Sequence, residues 1–142
     1  MKVSRNPIVV ALLAATALSH IGGVMSAEKG LMTSSADIVW DGPTKIARLW
    51  GNRDLGAYGM LLKLPLGFES GFHAHTADYN AINLQGTWAH TMDGEIKELA
   101  PGSYVMQPGG QLHNDACKGP AECILFIQQN SKGDFIPAEA SK

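Results

Sequence analysis

From residue 28 onward, apolar residues come in short runs broken by Gly, Pro, Asn and Asp, and no stretch holds the i, i+3, i+4, i+7 spacing of an amphipathic helix. That pattern reads as antiparallel strands joined by tight turns. The expected strands are 37–40, 45–50, 58–64, 71–75, 80–85, 87–92, 95–99, 103–107, 113–117 and 123–128. Asp93-Gly94 between two of them is a hairpin signal, because a type I′ turn needs positive φ at both central residues. Pro101-Gly102, Pro108-Gly109-Gly110 and Gly119-Pro120 mark further turns. Strands packed this closely leave no room for helical crossovers, which excludes a parallel α/β fold. Residues 28–35 and 131–142 read as arms or frayed ends. Trp40, Trp50, Tyr58, Met60, Phe72, Tyr104 and Phe126 read as packing residues.

The first residues follow a different pattern. Lys2 and Arg5 precede an apolar run over 8–18, followed by Gly22-Gly23 and Met25-Ser26-Ala27. A charged start, a short apolar stretch and a small-residue exit make a secretory signal peptide over 1–27. The apolar run is too short for a stable membrane span, which takes roughly 20 residues. Cleavage after Ala27 would leave 115 residues (142 − 27), exported to the periplasm or beyond.

Charge narrows the partners. Eleven Lys+Arg stand against 13 Asp+Glu, and the signal segment holds two of the basic residues and no acidic one, so the remainder is 9 against 13. No basic face for nucleic acid or anionic lipid is present. Neither a G-x-S-x-G nucleophile turn nor a phosphate-binding glycine loop occurs.

Outside the signal segment there are four histidines, His73, His75, His90 and His113. In a strand, His73 and His75 share a face, so their imidazoles can hold one metal ion. Alone, the pair is weak evidence for a metal and reads more simply as two exposed polar positions on a strand edge. The surrounding spacing is more specific. One stretch runs Gly67, five residues, His73-Ala74-His75, three residues, Tyr79, six residues, Gly86. A second runs Gly102, five residues, Pro108, one residue, Gly110, two residues, His113. In these residues the chain resembles the cupin superfamily, whose motifs are G-x5-H-x-H-x3/4-E-x6-G and G-x5-P-x-G-x2-H-x3-N. The resemblance implies an all-β fold, a double-stranded β-helix or jelly-roll cupin barrel, over 28–142, with motif 1 at 67–86 and motif 2 at 102–117. It implies that His73, His75 and His113 converge on one divalent transition metal, Zn or Fe first, with Mn, Ni or Cu as alternatives.

Two positions depart from the pattern. Tyr79 stands where cupins carry a carboxylate. Either the site has three histidines with Tyr79 as a pocket wall or hydrogen-bond donor, or Tyr79 coordinates, or neighbouring Asp78 swings in as a fourth ligand. Cys117 replaces the closing Asn. With Cys123 it forms a disulfide across a Gly-Pro turn in an exported protein, or else it offers a thiolate to the metal. His90 alternates with Trp88 and Met92, and is either an acid/base group beside the pocket or a half-exposed strand residue.

The resemblance extends to small exported bacterial cupins with a His-x-His-x-x-Asp-Tyr signature, related to the zinc-binding modules of anti-sigma sensors. It implies a metal-dependent enzyme of dioxygenase, isomerase or lyase type acting on a small, oxygen-rich chelating substrate, with Tyr79 and His90 handling protons. The alternative is a non-enzymatic domain that binds zinc and a small ligand as a sensor. A homodimer is the expected assembly.

Overall fold

The computed structural model describes residues 29–42 and 45–139. The signal segment expected at 1–27 lies outside them. The chain divides into two units, Met1–Met32 and Thr33–Lys142. Of the first, only 29–32 are described, without regular structure. No helix among the described residues is long and apolar enough to cross a membrane.

The second unit is one antiparallel sheet curled on itself. Its strands are β1 (Ile46–Gly51), β2 (Tyr58–Leu64), β3 (His73–Ala74), β4 (Tyr79–Met92), β5 (Glu95–Leu99), β6 (Tyr104–Gln107), β7 (His113–Gln129) and β8 (Ile136–Pro137). Part of the sheet runs β1-β2-β7-β3-β8, and β4 joins β7 to β5 and β6. The long strand β7 is the spine. Its second half pairs with β2, its first residue with β3, and both halves pair with β4. Along it Cys123, Leu125, Ile127 and Gln129 are buried while the residues between are partly exposed, the period-2 signature of a sheet with one inward face. Cys123, Leu125 and Ile127 meet Tyr58, Met60 and Leu64 of β2 and Trp88 of β4 in the core.

The pairs of strands expected at 80–85 and 87–92, and at 113–117 and 123–128, are each one continuous strand, β4 and β7. Both bend at the same place. Trp88 faces Cys117 and Gln85 faces Ile124, so three steps along β4 (88 − 85) oppose seven along β7 (124 − 117). The surplus is a bulge in β7 rather than a chain-reversing turn, and the Cys117–Cys123 disulfide closes its base. Opposite it, Gly86 has φ +77°, and a Cβ there would fall 2.8 Å from Glu122 O and 3.0 Å from Cys123 Sγ. Only glycine fits that approach. The Asp93-Gly94 hairpin turn has φ of 53° and 76°, as expected.

Other expectations need correction. Residues 37–40 form no strand. Ser34 caps a 3₁₀ turn over Ser35–Asp37, and the nearest pairing is a lone bridge from Asp41 to Ile46. The C-terminal arm is not free either, because Ile136–Pro137 adds to the sheet beside β3. A two-residue strand containing Pro carries no periodic signal and is tolerated only at an edge. Tyr58 and Met60 are core, but Trp50, Phe72 and Tyr104 are exposed.

Candidate metal centre

β3 and the start of β7 bring the motif histidines together. His73 lies directly opposite His113 in the β3–β7 pair, and His75 follows β3 by one residue. One ring nitrogen of each of the three lies within 4.8 Å of those of the other two. Their hydrogen bonds decide which nitrogen is free. Nδ1–H of His73 donates to Gly71 O (2.9 Å), that of His75 to Asp134 O (2.5 Å) and that of His113 to Gln111 O (3.2 Å). A carbonyl only accepts, so each Nδ1 carries the proton and each Nε2 keeps its lone pair. Metal-ligating histidines are oriented in this way. Burial lowers the pKa of His75, and that of His113 to about 4, so both rings are neutral near pH 7. The donor set therefore fits a divalent transition metal.

Tyr79 is buried, and its hydroxyl donates to His113 Nε2 at 3.2 Å. Burial first, and then the charge of Asp115, raises its pKa well above the ordinary phenol value, so it stays a hydrogen-bond donor. Asp78 is not part of the histidine group. It is exposed, and its carboxylate accepts the Gly109 N–H at 2.7 Å. His90 is neither half-exposed nor part of the cluster. It is buried, with Nδ1 2.8 Å from Asp115 Oδ1 and Nε2 3.1 Å from Gln107 Oε1. Cys117 and Cys123 are joined, so no thiolate from them faces the site.

Three site residues escape the motif. Asp115 follows His113 by two positions and so shares its face of β7. Its Oδ1 accepts both Trp88 Nε1–H and His90 Nδ1–H at 2.8 Å, while Oδ2 lies 3.8 Å from His73 Nε2 and 3.7 Å from His113 Nε2. Burial alone would raise its carboxyl. The hydrogen bond and charge of His90, the charge of His113 and the Trp88 bond outweigh it and hold the group below the ordinary value. Two-residue spacing from a motif histidine is the signal that points to it. The others, Asp134 and Phe135, carry no such signal. Asp134 holds His75 through its carbonyl and Thr76 through its carboxylate, and the Phe135 ring stacks on His73 at 4.2 Å.

His73, His75, Tyr79 and Asp115 line a cavity of about 470 Å³ whose other walls are mainly apolar, among them Met60, Leu64, Phe68, Leu125 and Ile127. His113 is fully buried behind them. Arg53 also lines the cavity, and its buried Nε has no acceptor among the described residues.

A curled antiparallel sheet that gathers three histidines beside a small cavity is the arrangement of the cupin fold. Solved structures agree on the fold. The chain is similar to an uncharacterised conserved protein with a double-stranded β-helix domain from Klebsiella pneumoniae (17% identity, TM-score 0.59, 79% of this chain and 100% of that one). It is also similar to KdgF from Halomonas sp. (19%, 0.56, 78% and 96%) and to an RmlC-like cupin from Shewanella frigidimarina (21%, 0.56, 78% and 93%). The chain belongs to the family described as a domain of unknown function, DUF4437, whose profile matches residues 37–141. No curated protein matches it.

Proposed function

We propose that this cupin is an exported, metal-dependent enzyme of dioxygenase, isomerase or lyase type that acts on a small, oxygen-rich, chelating substrate. The observation that carries the reading is the set of three imidazoles, each with Nδ1 tied to a carbonyl, that gather beside a cavity sized for one small molecule. A bound Zn or Fe ion would supply Lewis acidity to substrate oxygens. The chain supplies the rest. The apolar walls exclude water and strengthen polar contacts made inside. Tyr79 presents a neutral hydroxyl that a metal on His113 Nε2 would free to donate a hydrogen bond to a substrate oxygen. Arg53 Nε, buried without an acceptor among the described residues, suits a second oxygen of the same ligand. His90 serves by fixing Asp115 instead of meeting substrate, since both its ring nitrogens are engaged. The disulfide supports export, because such bonds persist in oxidising compartments.

One observation favours a non-enzymatic binding or sensing module. With His90 engaged elsewhere, Tyr79 is the one side-chain hydroxyl donor to the histidines among the described residues, and burial holds it protonated. Elemental analysis of protein from its native compartment, followed by oxygen-uptake and turnover screens with diketones, thiols and phenolic acids, tests the reading. Metal with turnover supports the enzyme, and stoichiometric zinc with ligand binding but no turnover supports the sensor. Protein without metal, whose ligand binding is unchanged in His73→Ala, would refute both.

A further inference from the structure

We infer that Asp115 is the fourth, anionic ligand of the metal centre, so that motif 2 returns the carboxylate that motif 1 lacks at Tyr79. This rests on the metal-centre reading above and extends it.

The argument begins with what faces the site. His73 and His113 each turn an Nε2 lone pair inward, because their Nδ1 protons are spent on carbonyls. Asp115 Oδ2 stands 3.8 and 3.7 Å from those two nitrogens. Oδ1 takes both available donors, Trp88 Nε1–H and His90 Nδ1–H, which fixes the plane of the carboxylate and leaves Oδ2 with no donor among the described residues. The Tyr79 hydroxyl donates to His113 Nε2, but His73 Nε2 and Asp115 Oδ2 converge in a nearly buried space with no donor to either among the described residues. Two such acceptors repel one another unless a proton, a water or a metal cation lies between them, and a cation there would also reach the His113 nitrogen.

Spacing agrees. Bonds of about 2.1 Å to a tetrahedral or octahedral ion put neighbouring ligand atoms about 3.0–3.4 Å apart. The gaps to His73 and His113 need only a few tenths of an ångström of closure, while Asp115 stands outside the group whose ligand atoms all lie within 4.8 Å of one another, so its carboxylate must move farther to share an ion with His75. Backbone contacts fix the residue as firmly, since Asp115 N–H donates to Ser70 Oγ and Ser70 N–H to Asp115 O, both at 2.9 Å. Asp78, the other nearby carboxylate in the sequence, is exposed and bound to Gly109 N–H. Chemically, a carboxylate ligand leaves a divalent ion with one unit of net charge instead of two, which moderates its pull on bound oxygens.

Cobalt(II) titration of the metal-free, disulfide-intact protein tests this by absorbance. Wild type should bind one ion. Asp115→Asn keeps the size and an oxygen for Trp88 and His90, and should bind at least about 100-fold more weakly with an altered ligand-field spectrum, a loss beyond the 10- to 100-fold typical of groups that only orient a ligand. Asp78→Asn should stay within about threefold of wild type. Wild type that binds no cobalt overturns the metal centre itself. Wild type that binds, with Asp115→Asn unchanged in affinity or in spectrum, overturns only the role of Asp115. Should Asp115→Asn fail to fold, the infrared difference spectrum of Asp78→Asn on adding zinc decides. A shifted carboxylate stretch supports ligation, and its absence refutes it.

Discussion

Acidifying the metal-free protein should loosen the fold through His113. Burial lowers this imidazole from its ordinary 6.5 to about 4 in the folded chain. Between those two values the unfolded chain binds a proton that the folded chain refuses, so stability rises with pH there and is level outside that window. At about 1.4 kcal/mol per pH unit, a gap from 6.5 to about 4 amounts to roughly 3 kcal/mol lost between neutral pH and pH 4. His75, also lowered by burial, adds in the same direction. Asp115 adds with the same sign, since its carboxyl lies below the ordinary value and its stabilisation is lost only at still lower pH. Urea unfolding followed by tryptophan fluorescence in EDTA, at pH 7, 6, 5 and 4.5, measures the slope. His113→Gln, which replaces the titrating ring, should lose most of it. Equal slopes for the two proteins would refute the claim that His113 is held neutral.

Three further outcomes follow from the packing. Reducing the Cys117–Cys123 bridge, which closes a loop with a sequence separation of 6, should cost about 2 kcal/mol by loop entropy and lower the melting temperature in a reductant-paired thermal scan. Gly86→Ala puts a methyl against Glu122 O in a left-handed backbone and should cost about 3 kcal/mol, read by urea unfolding of the oxidised protein. A chain ending at Gly133 keeps the core strands but loses the Asp134 carbonyl that holds His75 and the Phe135 ring on His73. It should bind cobalt at least about tenfold more weakly, measured by the same titration as above.

The readable part of the site was the part with fixed local spacing. Glycines and prolines between short strands, with two histidines at i and i+2, sit in contiguous sequence and keep their meaning wherever the chain goes. Asp115 was legible in principle, because it shares a face with His113. The motif instead directs attention to position 79, where Tyr79 replaces the carboxylate, and to its neighbour Asp78. His90 illustrates the opposite limit. Alternation placed it on a face with Trp88, yet its partners Asp115 and Gln107 come from β7 and β6, and only cross-strand register puts them there. The C-terminal segment was misread for a similar reason, since Asp134, Phe135 and β8 act through β3, some 60 residues earlier in the chain.

By itself, then, the sequence determined the all-β class and the Asp93-Gly94 hairpin, because these depend on backbone preferences and periodicity over a few residues, while the three histidines were marked by the resemblance to the cupin motifs. Tertiary structure decided the continuity of β4 and β7 through facing bends, the tautomer of each imidazole, the burial of His90 and the approach of Asp115 to two Nε2 atoms. Those features arise where distant strands close on one another, and closure depends on register and packing that no local window contains.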